Sequence, residues 1–248
     1  MADTPWQIAN NSAKLAPIPY QRKNPMIIVH HLNNSRSQRI LWLLEELGLD
    51  YEIKKYERNA KTMLAPPELR AIHPLGKSPV ITDGDTMVAE SGAIIEYLVE
   101  RYGKGQFIPA AGTPEKLLYT YFLHYAEGSA MTPLLMKLVF DKVASSPMPF
   151  FVKPIARAIA QKVKTSYINP QIVQNLKFME AELDKRKWFA GKEFTAADVQ
   201  VSFVLEAASA RGGLDTKYPK LAAFLKRIHA RPAYKRGLER GGEYELIK

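Results

Sequence analysis

His73-Pro74-Leu75-Gly76-Lys77-Ser78-Pro79-Val80-Ile81-Thr82-Asp83-Gly84-Asp85-Thr86-Met87-Val88-Ala89-Glu90-Ser91 is the stretch that decides the fold. His73 to Gly76 reads as a turn. Ser78 to Thr82 and Thr86 to Ala89 read as two short strands, and Asp83-Gly84-Asp85 between them is a hairpin signal. Pro79 removes a ladder donor where the first strand opens, which marks an edge or a special peptide bond. Ser91 then opens a helix with Ile94, Ile95, Leu98 and Tyr102 on one face.

Upstream, Met26 to His31 is a short apolar run that reads as a buried strand. Asn33, Asn34 and Ser35 are residues of cap type. After them Ile40, Leu43, Leu44 and Leu47 fall at helical spacing, and Gly48 ends the helix. Tyr51 to Tyr56 is a second strand, and a short helix is expected over 66–72. The order over residues 26–104 is therefore β-α-β-α-β-β-α. The first βαβ unit should be parallel, and the hairpin makes the sheet mixed, which argues against a doubly wound nucleotide fold.

Downstream, Gly103-Lys104-Gly105 and Pro109 to Pro114 punctuate a linker, taken as 105–112. Residues 113–248 show no strand hairpin. Helices are expected over 117–143, with Pro133 bending or breaking the first, and over 155–167, 170–183, 196–210 and 219–230. Thr195-Ala196-Ala197-Asp198 fits a capping box with Asp in the fourth place, a structural role. Residues 1–25, with four prolines, read as an N-terminal extension, either a flexible arm or a docked tail.

Composition narrows the chemistry. The 248 residues contain no cysteine, so a disulfide framework, a thiolate metal cluster and a cysteine nucleophile are all ruled out. Any thiol chemistry must use a thiol that arrives with a ligand. Five scattered histidines show no metal-ligand spacing, so no metal site is expected. No apolar run approaches the ~18 residues of a membrane span. Without an address signal the expected location is the cytoplasm. The net charge of +10 is uneven: residues 26–104 carry 10 basic and 11 acidic side chains, residues 105–248 carry 22 and 13. A basic half attracts anionic ligands or simply faces solvent. No aromatic-basic interleaving or motif points to nucleic acid.

Asn34-Ser35-Arg36-Ser37-Gln38-Arg39, His73 to Pro79, Asp83-Gly84-Asp85 and Glu90-Ser91-Gly92-Ala93-Ile94 occur together and in this order. With Leu43 to Glu52 and Phe194 to Asp198, this set resembles the cytosolic glutathione transferase superfamily, in its serine-type, fungal or bacterial form. The resemblance covers residues 26 to about 235. It implies an α/β thioredoxin-like N-terminal domain over 26–104 and an all-α C-terminal domain over 113–248, the glutathione transferase fold.

The resemblance also implies site residues. Ser35 is the candidate catalytic hydroxyl, donating to the sulfur of glutathione. A free thiol with a pKa of about 8.5 is only a few per cent thiolate at neutral pH, and a donated hydrogen bond favours the anion. On the residues alone, Ser35 also reads as a plain helix cap. Asn34 and Ser37 are rival donors, and Arg36 either adds positive field or faces water. In the family the bond before Pro79 is cis, which lets the backbone of Ser78 pair with the ligand's cysteine. The family usually carries an aliphatic residue at position 78, so serine there is a mild departure. Glu90 suits the γ-glutamyl ammonium, Ser91 and its helix N-terminus the carboxylate, and Lys77 the glycine carboxylate.

An electrophile pocket is expected between the domains, with Tyr121, Tyr125 and Met136 as candidate lining residues. The implied activity is transfer of glutathione, a co-substrate rather than a bound cofactor, to hydrophobic electrophilic small molecules. The resemblance also implies peroxide reduction as a side activity and a homodimer as the assembly. A non-enzymatic binding or regulatory relative and a disulfide oxidoreductase using two glutathione molecules are the alternatives.

Overall fold

The computed structural model describes residues 26–59, 62–214 and 216–246. The expected extension over 1–25 lies outside them. Four strands, β1 (Ile27–Leu32), β2 (Tyr51–Tyr56), β3 (Val80–Asp83) and β4 (Thr86–Ala89), form one sheet in the order β2-β1-β3-β4. β1 runs parallel to β2, with Ile27 opposite Tyr51, and antiparallel to β3, with Val29 opposite Ile81. Asp83 pairs with Thr86, leaving a two-residue turn in which Gly84 takes a φ of 59°. The buried Asp83 carboxylate closes this corner by accepting the Tyr97 hydroxyl at 2.7 Å and the Tyr102 hydroxyl.

Helix α1 (Ser37–Leu47) follows β1, α2 (Pro67–Ile72) precedes the β3–β4 hairpin and α3 (Ser91–Tyr102) follows it. Gly48 stops α1 at a φ of 63°; its N–H and that of Leu49 satisfy the last carbonyls at Glu45 and Leu44. The sequence predicts one apolar face on α1. In the structure Ser37 to Leu44 are all buried. The reason is tertiary: the second half of the chain covers the face that the sheet does not use.

That half is helical: α4 (Pro114–Tyr125), α5 (Met131–Ser145), α6 (Lys153–Val163), α7 (Asn169–Lys185), α8 (Ala196–Ala207), α9 (Pro219–His229) and α10 (Pro232–Gly241). The bend expected at Pro133 is a π turn just ahead of it, Ala126–Ala130. A second π turn, Lys164–Ile168, stands in the same relation to Pro170 and joins α6 to α7. Widening the helix there relieves the clash between the proline ring and the preceding turn. A third, Ala208–Gly212, extends α8.

Helix α8 is buried along its whole length and forms the centre of the helical half. Its start is fixed by Asp198, which is fully buried. One carboxylate oxygen accepts the Phe189 N–H at 2.9 Å, and the other accepts the Thr195 N–H at 2.8 Å. This is the capping box read from the sequence. Burial pushes the carboxyl up to about 6, against the pull of these hydrogen bonds.

Helix α10 lies outside the helices that the sequence predicts, and its junction with α1 is the most extensive between any two elements. A Cβ on Gly237 would lie 2.9 Å from the Trp42 nitrogen, and one on Gly241 would lie 2.3 Å from Gln38 Oε1. Gly237 lets the two helix backbones approach, and Gly241, one turn on, leaves room for the Gln38 and Leu41 side chains. Arg236 and Arg240 pair with Glu45 at 2.7 and 3.1 Å, and Arg231 pairs with Glu46.

Asp198→Ala should lower stability by about 2–4 kcal/mol, because it strands two buried backbone donors. Chemical denaturation measures the loss. Full stability with selective loss of turnover would contradict the structural role.

Candidate active site

The end of β1 and the start of β3 bring the predicted residues together. The Ser78–Pro79 bond is cis, with Pro79 buried at the head of β3. Ser78 Oγ donates to the His30 carbonyl at 2.9 Å and accepts from the Leu32 N–H at 3.3 Å. The side chain thus supplies the two contacts that a ladder residue would make with the backbone of β1. That is the use of serine at a position where an aliphatic residue was expected.

Ser35 is buried beside it, with its Oγ 3.4 Å from Ser78 Oγ and 2.7 Å from Ser37 Oγ. It also accepts the Ser37 N–H at 3.3 Å. The N-cap position of α1 is Arg36 and carries no side-chain cap hydrogen bond, so Ser35 stands one residue ahead of the cap and its contact with the Ser37 N–H is a local turn contact. Ser37 is fully buried, and its Oγ lies 2.8 Å from His31 Nδ1. His31 was not singled out from the sequence. Its adjacency to the strand end was the only available signal. Burial, reinforced by Lys55 across the β1–β2 register, pulls its pKa down to about 4, so the ring is neutral at physiological pH.

The other named residues divide. Asn34, at a φ of 50°, accepts the Glu245 N–H at 2.9 Å, so its side chain anchors the C-terminal segment. Arg36 donates to Glu127 at 3.0 Å and lies over the Phe203 ring at 5.2 Å. Arg39 reaches the same Glu127 and the Gln200 carbonyl, at 2.6 Å. Glu90 is exposed at a φ of 70° and precedes the first turn of α3, where Ser91 is buried. Lys77 is exposed.

Tyr121, Tyr125 and Met136 share a cavity of about 470 Å³ with Thr132, Tyr167 and Phe178. The pocket was expected between the halves, but every lining residue belongs to 121–178 and none to 26–104. The cause is helical phase: Tyr119, Phe122 and Leu123 turn α4 toward the buried core, and Tyr121 and Tyr125 face α7 instead. Gly128, the chain neighbour of Glu127, is among the cavity's lining residues. Among the described residues no cluster of His, Asp or Glu could hold a metal ion, and no helix is long and apolar enough to cross a membrane.

A hydroxyl at the end of β1, a cis-proline facing it at the head of β3 and an all-helical partner half define a two-part thioredoxin-like protein of the glutathione transferase class. Two family models match it: the glutathione S-transferase N-terminal domain over residues 24–100 and the C-terminal domain over 139–232. Glutathione S-transferase 1 of Saccharomyces cerevisiae is 35% identical over 85% of this chain and 93% of its own. Glutathione S-transferase 3 of Schizosaccharomyces pombe is 37% identical over 84% and 85%. A crystal structure of a glutathione S-transferase from Actinobacillus pleuropneumoniae aligns with a TM-score of 0.72 at 34% identity, covering 89% and 94%. The chain belongs to the glutathione S-transferase family.

Because His31 is held neutral, with its pKa lowered from 6.5 to about 4, it contributes stability above pH 6.5 that is lost as pH falls through about 4. His31→Asn should remove up to about 3 kcal/mol of that acid dependence. Urea denaturation of both proteins between these pH values measures the difference, and identical slopes would show that His31 does not titrate in this window.

Proposed function

We propose that this transferase joins the thiolate of glutathione to small hydrophobic electrophiles, with Ser35 as the thiolate's hydroxyl donor. The observation that carries this reading is the buried Ser35 hydroxyl beside the cis Ser78–Pro79 bond, in a chain with no cysteine of its own. The Ser78 backbone pairs with the cysteine of glutathione. Glu90 takes the γ-glutamyl ammonium, Ser91 and the N-terminus of α3 take the carboxylate, and Lys77 takes the glycine carboxylate. No group of the protein is bonded to the substrate at any point: the enzyme binds, orients and stabilises the sulfur anion.

The electrophile enters on the side of Ser35 where Arg36 meets Glu127 and Phe203 of the helical half. The cavity of Tyr121, Tyr125 and Met136 receives its apolar body. Domain limits of 26–104 and 113–248 with a linker at 105–112, a cytoplasmic location, a homodimer and peroxide reduction by the same thiolate complete the proposal.

Ser35→Ala should bind glutathione nearly normally, since Ser78, Glu90 and Ser91 hold the peptide. It should raise the pKa of the bound thiol toward the free value of about 8.5, so that conjugation falls at pH 7 and partly returns as pH rises. Ultraviolet titration of the bound thiolate beside a pH–rate profile decides it. Unchanged titration in Ser35→Ala would remove Ser35 from the chemistry.

Glu90→Gln and Ser91→Ala should each weaken glutathione binding about tenfold, from loss of a charge-assisted hydrogen bond, with the folded fraction unchanged. Titration calorimetry is the measurement. Wild-type affinity in both variants would place the γ-glutamyl group elsewhere.

A further inference from the structure

Four side chains and one carbonyl around Ser35 form a continuous hydrogen-bonded line, from His31 through Ser37, Ser35 and Ser78 to the His30 carbonyl. Ser78 spends its only proton on the His30 carbonyl, at 2.9 Å, so toward Ser35 it can only accept. On the other side stand Ser37 Oγ at 2.7 Å from Ser35 Oγ, and His31 Nδ1 at 2.8 Å from Ser37 Oγ. Each hydroxyl has one proton, and the neutral imidazole has one proton on either of two nitrogens.

Two arrangements place a proton in both the His31–Ser37 and the Ser37–Ser35 contacts. With the ring proton on Nε2, Nδ1 accepts from Ser37 and Ser37 accepts from Ser35. The Ser35 proton then points inward, and its lone pairs face the ligand. With the ring proton on Nδ1, that N–H donates to Ser37, and Ser37 donates to Ser35. The Ser35 oxygen now accepts from the Ser37 hydroxyl and, at 3.3 Å, from the Ser37 N–H. Both of its lone pairs are engaged, and its own proton goes to Ser78 Oγ at 3.4 Å or, with a ligand bound, to the sulfur. The first arrangement sets lone pairs against a thiolate, and the second sets a donor against it.

We propose that His31 is a positioning residue: its Nδ1–H tautomer, relayed through Ser37, turns the Ser35 hydroxyl proton toward the sulfur of glutathione. The inference rests on Ser35 being the thiolate donor. His31 and Ser37 touch neither substrate nor sulfur, and no proton leaves the line. The ring acts through which nitrogen is protonated, not through charge, because burial and Lys55 keep it neutral at working pH. Arg36 and Arg39, the cations nearest in sequence, are both turned to Glu127.

The test compares the bound-thiol pKa, by ultraviolet titration, in wild type, Ser35→Ala, Ser37→Ala, His31→Leu, His31→Asn and the His31→Leu/Ser37→Ala double variant. Asn can place an amide N–H where Nδ1–H stands; Leu cannot. Ser37→Ala and His31→Leu should each raise the bound-thiol pKa by about one unit, roughly a tenfold change in the ionisation constant, with glutathione affinity within about twofold, since neither side chain contacts the ligand. The double variant should add nothing further, because the two act in one line. His31→Asn should recover most of the wild-type value.

Ring-nitrogen chemical shifts of His31 should report Nδ1 protonation when glutathione binds. If His31→Leu fails to fold, Ser37→Ala and the shifts carry the test. A raised pKa in Ser35→Ala with wild-type values in Ser37→Ala and His31→Leu would overturn the relay while leaving Ser35 as donor. An unchanged pKa in Ser35→Ala would overturn both. An Nε2–H tautomer in the glutathione complex would overturn the relay by itself.

Discussion

The Arg39–Glu127 ion pair is the constraint on which the rest of this structure depends. The Arg39 side chain is 2% exposed, with the Glu127 carboxylate against one nitrogen and the Gln200 carbonyl against another. A guanidinium so far out of water is tolerable only while it is paired; losing one partner of a buried pair costs about 3–5 kcal/mol. Arg39 belongs to α1 and Glu127 to the π turn between α4 and α5, so the pair can be whole only when the two halves of the molecule are docked. The same carboxylate holds Arg36, the residue after Ser35. Asn34, the residue before it, is held by the Glu245 N–H. The loop carrying the candidate donor is thus fixed on both flanks by the helical half, although Ser35 and the sheet around it belong to the other.

The same coupling accounts for part of the charge asymmetry. Residues 26–104 carry a net charge of −1 and residues 105–248 a net charge of +9. Three of the basic residues, Arg231, Arg236 and Arg240, are spent on Glu45 and Glu46 at the end of α1. The arginines of the two Glu45 pairs are exposed, and such pairs contribute little stability individually. Here they act beside the close approach at Gly237 and Gly241, so the charges set the register of α10 on α1 and the glycines admit it. The first half's acidic helix end and the second half's basic last helix are complementary surfaces of one junction.

How much of this was legible in the sequence follows from where the forces are local. The order of elements along residues 26–104, the hairpin, the Gly48 stop and the Thr195–Asp198 box are each set by a few neighbouring residues, and they were readable. The cis bond before Pro79 and the roles around it came from the family resemblance, because nothing local distinguishes a cis from a trans proline at a strand start. Three things were hidden for a common reason. The all-round burial of α1, the existence of α10 and the phase of Tyr121 and Tyr125 all depend on packing between distant segments. Helix α10 is strongly polar and carries two glycines, poor helix formers on their own, and it is stable only against α1. His31 was hidden differently: a histidine in an apolar strand reads as a core residue until Ser37 is seen 2.8 Å from its ring.

The absence of cysteine gives the site its chemical character. A protein thiol can be both donor and nucleophile, and its environment then has to tune its own ionisation. Here the nucleophile is brought in, and the protein needs only a fixed donor. A serine hydroxyl is a poor acid, so it cannot protonate the sulfur outright, but it can point its proton at the anion. What such a site must control is direction, and an isolated serine rotates freely. Around Ser35 the rotation is restricted from two sides: Ser78 is committed to the His30 carbonyl and offers only a lone pair, and Ser37 fills the other side. The serine at position 78 therefore does more than replace an aliphatic residue. By taking its place in the β1 ladder with its proton already used, it leaves the Ser35 hydroxyl one inward partner that can change its role, Ser37, and behind Ser37 a ring whose tautomer sets that role.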